Sequence, residues 1–287
     1  MQVHTVRVKH VAAVLAALLV VLHVAYGLAH RLYNASSPGD LTFHSDFESG
    51  DLSLWREKGM LQLCCDDSLT VVTSPVRSGR YAARFTLRRS DPVVKGSKRA
   101  ELRTKAGSMG VEYWYAFSIF LPQNWTGDKV PVTLAQWHNV PDVWLGELSA
   151  PPPLRLVVED GQWRVANIWD SKRVARTIFT ALSPDGMTLE RIGPLDTGRW
   201  VDWVFHVRWS FRGDGLVQVW KDGKSVFHRI GPNAYNDALA PYLKVGIYVP
   251  RWMADPPLST TESHTIHFDE IRVAEAPATL AGMLPTP

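Results

Sequence analysis

Three observations predict an all-β chain, an antiparallel β-sandwich preceded by one N-terminal apolar helix. Apolar and polar residues alternate with period two through most of the body. Asp-Gly pairs separate several of the alternating segments, the signal of tight hairpins. After residue 40 no long stripe of apolar residues recurs at i, i+3, i+4, i+7. Strands without alternating helices argue for two packed sheets rather than a parallel α/β core. At 287 residues the chain suits one such domain, expected over residues 41–276.

The helix comes first. Val11 to Ala29 holds 19 residues without a charge, preceded by Arg7 and Lys9. That length is close to the ~20 residues that cross a bilayer. A basic segment before an apolar one is also the pattern of an export signal, and Gly27-Leu28-Ala29 offers a small-x-small cleavage site. Residues 1–30 are therefore expected to be a signal peptide or an uncleaved membrane anchor. Either fate exports the rest, to an extracellular or periplasmic space, with membrane attachment if the segment is uncleaved. Residues 31–40 read as a polar linker.

The strands follow. Tyr81–Arg88, Ala100–Thr104, Tyr113–Phe120 and Thr133–His138 are expected strands. Leu154–Glu159 and Gln162–Trp169 flank Asp160-Gly161, and Leu216–Trp220 and Ser225–His228 flank Asp222-Gly223. In Trp200–Trp209 the residues Val201, Trp203, Phe205, Val207 and Trp209 form one apolar face. Tyr242–Val249 and His264–Val273 complete the set. Residues 277–287 read as a loose, flexible tail. The adjacent Cys64 and Cys65 are expected to be two small buried thiols, since neighbours lie far from ordinary disulfide geometry.

Composition excludes several classes. The chain is 46% hydrophobic and has two Cys, so it is neither disordered nor a disulfide scaffold. Of the formal charge of +3, Arg7 and Lys9 supply two, leaving +1 for the remainder. Net charge thus does not ask for a nucleic acid partner. Its distribution is uneven: ten basic residues and two acidic ones lie between Arg77 and Lys105. There are 12 Trp. Trp137, Trp203 and Trp209 are expected in the core, and Trp144, Trp169 and Trp252 are candidates for stacking on sugars.

Three segments carry polar rows opposite apolar ones. Arg99, Glu101 and Arg103 share a face, as do Gln136 and His138, and so do Tyr242, Lys244, Gly246 and Tyr248. If these strands share a sheet, the rows merge into one polar surface, with Gly246 leaving a gap for close approach. Such a surface suits cleavage of an acidic polysaccharide by removal of the proton beside a uronate carboxylate and expulsion of the 4-linked oxygen. Gln136 and Arg103 would neutralise the carboxylate. Tyr248 as phenolate, or neutral His138, would take the proton, with Lys244 and Arg103 favouring the phenolate. Arg99, Glu101, Lys244 and Tyr242 would bind substrate. This step requires no metal or organic cofactor. The chain is expected to act as a monomer.

At these residues the sequence resembles the β-jelly-roll polysaccharide lyases, which include glucuronan lyases, heparin lyase I-like proteins and many alginate lyases. The matching pieces are Arg99-Ala-Glu-Leu-Arg103, Gln136-Trp-His138 and Tyr242 to Tyr248, in that order. Phe47–Trp55 and Phe268–Val273 resemble the first and last strands of such domains, so the resemblance spans about residues 41–275. It implies a concanavalin-like jelly roll, with Gln136 and Arg103 on the carboxylate and His138 and Tyr248 as the acid/base pair. Trp137 between Gln136 and His138 is closer to the glucuronan and heparin lyases, and Val249-Pro-Arg-Trp252 departs from the alginate lyase pattern. Some members bind structural calcium near the joined termini; here Glu48 and Asp269 would be the ligands.

Two other functions fit parts of the pattern. A glycoside hydrolase on this fold needs two carboxylates about 5–10 Å apart, and the polar rows hold only Glu101. A non-catalytic carbohydrate-binding jelly-roll module would use the aromatic residues alone. His264 and His267 would face opposite sides of a strand, which argues against zinc.

Overall fold

The structure is a computed structural model that describes residues 2–35, 42–125, 127–253, 258–259 and 261–285, with the backbone alone for residues 2–11. Helix α1 spans Gln2–Asn34. One sheet contains β1 (Phe43–Ser45), β3 (Leu69–Val72), β4 (Ala82–Arg88), β6 (Glu112–Phe120), β11 (Trp200–Arg208), β12 (Leu216–Lys221), β13 (Lys224–Ile230) and β15 (Ser263–Glu275). The other contains β2 (Met60–Gln62), β5 (Arg99–Arg103), β7 (Val132–His138), β8 (Leu154–Glu159), β9 (Gln162–Trp169), β10 (Gly186–Pro194) and β14 (Tyr242–Tyr248). Every named ladder is antiparallel. The strand order of the second sheet is β10-β9-β8-β7-β14-β5-β2. The three motif strands β7, β14 and β5 are therefore immediate neighbours.

The expected sandwich forms because the apolar faces of both sheets meet. Trp137 on β7 packs 4.5 Å from Phe205 on β11, and Trp163 on β9 lies 5.2 Å from Trp203 across the layer. Trp137, Trp203 and Trp209 are fully buried. An indole that buries ~200 Å² contributes about 5 kcal/mol at ~25 cal/mol/Å². Both Asp-Gly turns have positive φ at each central residue, as their two-residue hairpins require.

Several expectations fail locally. Phe47–Trp55 is a turn and a short helix, α2 (Ser53–Lys58), rather than a strand. The Asp51 carboxylate accepts from the Ser53 backbone and from the Ser49 and Ser53 hydroxyls, which closes that turn. Cys64 and Cys65 are joined to each other and partly exposed, not two buried thiols. The supposed tail packs back through α3 (Leu280–Met283), where Met283 is buried against Ala116 and Val204. Residues 286–287 lie outside the described residues. So do residues 36–40 of the expected linker, whereas residues 31–34 continue α1.

Gly246 has a backbone reason that the sequence reading missed. It sits at φ +135° beside an irregularity in the β14–β7 pairing, and a Cβ there would lie 2.2 Å from the Ala100 carbonyl oxygen of β5. It admits a neighbouring strand rather than a ligand. Gly246→Ala should cost about 3 kcal/mol or more. Gly96→Ala, at φ +76° with nothing within 4 Å, should cost about 1 kcal/mol. Urea denaturation of both variants checks the order, and equal losses would contradict this account.

Candidate active site

Pairing across β5, β14, β7 and β8 aligns one row of side chains. Arg103 is opposite Lys244, Lys244 opposite Gln136, and Gln136 opposite Arg155. A second pairing sets Tyr242 opposite His138, and a third sets Tyr248 opposite Arg99. Paired residues point to the same side, so all of these leave the core face together. Above them opens a cleft of about 830 Å³. Arg99, Arg103, His138, Tyr242, Lys244 and Tyr248 line it.

Gln136 and Glu101 lie below that surface, 1% and 2% exposed. Glu101 is bound by three side chains from three strands. Lys244 Nζ and Gln136 Nε2 donate to it at short range, and Arg99 donates at 3.3 Å. Its oxygens are therefore spent on the protein, and Glu101 holds the binding surface instead of facing a ligand. Gln136 Nε2 has a second hydrogen, while its Oε1 has no partner. Burial pulls the Lys244 ammonium down to about 8, opposed chiefly by Glu101.

The cations differ in how they are matched. Arg103 is 6% exposed, donates to Thr104 O and Asn34 Oδ1, and stacks 3.8 Å over Tyr242. Among the described residues it has no carboxylate partner, and burial lowers its pKa. Arg155 on β8 is also lowered by burial and its Nε lacks a partner. Arg103, Arg155 and the loop residue Arg176 thus face the cleft without a carboxylate partner among the described residues, an arrangement that attracts a ligand carboxylate. The expected pairing of Arg103 with Tyr248 does not form, because register sets Arg99 there. The Arg99 guanidinium lies 4.6 Å over the Tyr248 ring, with Lys244 Nζ at 5.9 Å.

His138 is held neutral in the cleft wall. Burial pulls its pKa down to about 4, so the ring is neutral at neutral pH. Its Nδ1 lies 3.0 Å from the Asn139 carbonyl, which can only accept. The proton therefore sits on Nδ1 and Nε2 keeps its lone pair. Asn139 is itself held, its Nδ2 donating to Asp237 at 3.1 Å.

The cleft also contains residues absent from the sequence reading. Arg155 was legible, since alternation in Leu154–Glu159 puts it opposite the apolar face. Arg176 arrives on a loop, and His30, Tyr33 and Asn34 arrive from the end of α1. Among the described residues, none that lines the cleft is Asp or Glu. The three tryptophans proposed for sugar stacking are elsewhere. Trp252 is buried and donates to Ser259, Trp169 lies under Arg229 at 3.7 Å, and Trp144 packs on α1.

Glu48 and Asp269, the residues expected to hold calcium, accept backbone N–H groups through three of their four carboxylate oxygens. Glu48 Oε1 accepts from the Arg80 and Tyr81 backbone, and Asp269 accepts from Arg77, Ser78 and Glu270. Burial raises Asp269 to about 7. Both carboxylates tie down the segment before β4.

The sequence profile of the polysaccharide lyases matches residues 47–272, most of the chain and all of the motif strands. The chain belongs to the polysaccharide lyase family. Among solved structures, this lyase is similar to endo-β-1,4-glucuronan lyase from the fungus Trichoderma reesei, with TM-score 0.69 and 19% identity over 82% of this chain and 95% of the other. It is also similar to a marine family 14 alginate lyase from Aplysia kurodai, with TM-score 0.56 and 12% identity over 83% of this chain and 100% of the other. Alginate lyase A1-II′, of family 7, gives TM-score 0.53 and 16% identity over 76% of this chain and 94% of the other. At these identities the likeness concerns the fold. A sequence search of curated proteins gives no match.

Glu101→Gln should cost about 3 kcal/mol of stability, because it strands Lys244 and Arg99 in a buried layer. Urea denaturation checks this; a loss within experimental error would contradict the clamp.

Proposed function

We propose that this lyase cleaves a 4-linked, uronate-containing acidic polysaccharide by β-elimination. The observation that carries the proposal is a cleft lined by Arg99, Arg103, Arg155 and Lys244, with no acidic residue among the described lining, around a neutral imidazole. A glycoside hydrolase needs two carboxylates there, and Glu101 is already bound to three side chains.

In the proposed step Arg103 and Arg155 take the substrate carboxylate, with Gln136 acting through Glu101, which stabilises the dianion that develops as the C5 proton leaves. His138 Nε2 accepts that proton. The released electron pair forms the C4–C5 double bond and expels the 4-linked oxygen, to which the Tyr248 hydroxyl donates a proton. No water is added. His138 and Tyr248 line the same cleft from neighbouring strands and are separate groups. Arg99 and Lys244 stabilise the phenolate left on Tyr248, and the resulting imidazolium returns a proton through solvent. Tyr242 presents its ring to the substrate. The polymer is met outside the cytoplasm, after export through α1, by a single copy of the chain.

Tyr248→Phe should lower turnover by about 100-fold or more with the affinity for a glucuronate oligomer within about twofold. Ultraviolet absorbance of the conjugated double bond and calorimetric titration read the two effects. A variant that turns over like the parent removes Tyr248 from the reaction.

The acid limb of kcat/KM should lie near 4, where His138 becomes protonated and can no longer accept a proton, and not near the ordinary imidazole value of about 6.5. A pH profile on glucuronan, alginate and heparin checks it. A limb at 6 to 7 would contradict His138 as a base buried and neutral.

A further inference from the structure

The last turn of α1 and the lyase domain share a set of polar contacts. Asn34 is 4% exposed. Its Nδ2 donates to His30 O at 2.7 Å, which fixes the amide and turns Oδ1 toward Arg103. The Ala106 N–H donates to Asn34 O at 2.8 Å, and Lys105 Nζ donates to Tyr33 O at 2.7 Å. Two carbonyls that the helix leaves unpaired at its C-terminus, those of Tyr33 and Asn34, are thus satisfied by donors that follow β5, one of them the Lys105 ammonium. One turn earlier, Gly27 lies against Trp144; a Cβ there would be 2.6 Å from the Trp144 Cβ. His23 Nε2 is 2.9 Å from Trp144 O. A mid-helix glycine costs about 1 kcal/mol against alanine, and here its missing side chain is what lets the two segments touch.

We propose that α1 is retained on the working enzyme and that its last turn is a wall of the substrate cleft, with Asn34 a positioning residue for the Arg103 guanidinium. The inference rests on reading this cleft as the lyase site. Residues Ala12–Asn34 are long and apolar enough to cross a membrane, and Val14, Leu15 and Leu18 to Leu22 are exposed. Cleavage after Ala29 would leave only His30 to Asn34 of the helix, far below the ~12 residues that an isolated helix needs. Arg103 would then lose the acceptor that aims it, and the cleft its wall. Retention instead holds the cleft close to the bilayer surface, with His30, Tyr33 and Asn34 beside the bound polymer.

The test uses the full chain purified in detergent. Its intact mass should include residues before His30, a result independent of what the cleft binds. In a Tyr248→Phe background, Asn34→Ala should weaken binding of a glucuronate oligomer about tenfold at an unchanged thermal midpoint. Asn34→Asp should weaken it further, because its carboxylate occupies Arg103 in place of the substrate's. Gly27→Leu, outside the cleft, should mimic Asn34→Ala by pushing α1 off Trp144. A fully active mature chain beginning at His30, or Asn34 variants that bind like their parent, would overturn the proposal. If the parent itself neither binds nor cleaves any uronate polymer, the lyase-site reading fails instead, and the intact mass still decides retention.

Discussion

A single buried carboxylate, Glu101, organises the cleft. It lies on β5 and receives Lys244 from β14, Gln136 from β7 and Arg99 from its own strand. Burying that many charges is costly unless each is paired. The pairing works only if the three strands keep one register, so the ion network and the sheet geometry specify each other. Gly246 contributes to the same constraint: without it β14 could not approach the Ala100 carbonyl, and Lys244 would lose its alignment with Arg103.

The network divides the cations into two kinds. Arg99 and Lys244 are neutralised from below, and their charge positions the Tyr248 ring. Arg103 and Arg155 have no carboxylate, and burial strains their charge. In the proposed function a ligand carboxylate relieves that strain, which is why an acidic polymer is the proposed substrate. The low pKa of His138 follows from the same burial. A basic, water-poor floor disfavours imidazolium, which keeps the ring able to accept a proton.

Period two made much of this legible. Alternation located β4 to β9, β11 to β15 and the polar rows that share the cleft, because each strand has one face on the core. It failed where that condition fails. β10 lies at a sheet edge with Met187 and Leu189 exposed, and β1, β2 and β3 are too short to show a period. Residue type separated Arg, His and Tyr from ordinary surface, yet burial stayed hidden: Glu101, Gln136 and Lys244 share a face with Arg103 and are all but fully buried. The tryptophans misled because a large ring is as much at home in a core as on a sugar. The contribution of α1 was beyond reach, since Asn34 and Arg103 are 69 residues apart and no local pattern links them.

Central to the account is that bond cleavage in this cleft is an elimination. The most direct measurement is mass spectrometry of oligosaccharides released from a uronate polymer in ¹⁸O-labelled water. Elimination predicts unsaturated non-reducing ends and no label incorporated by the cleavage step. Saturated ends, with ¹⁸O introduced at the broken linkage, would contradict it.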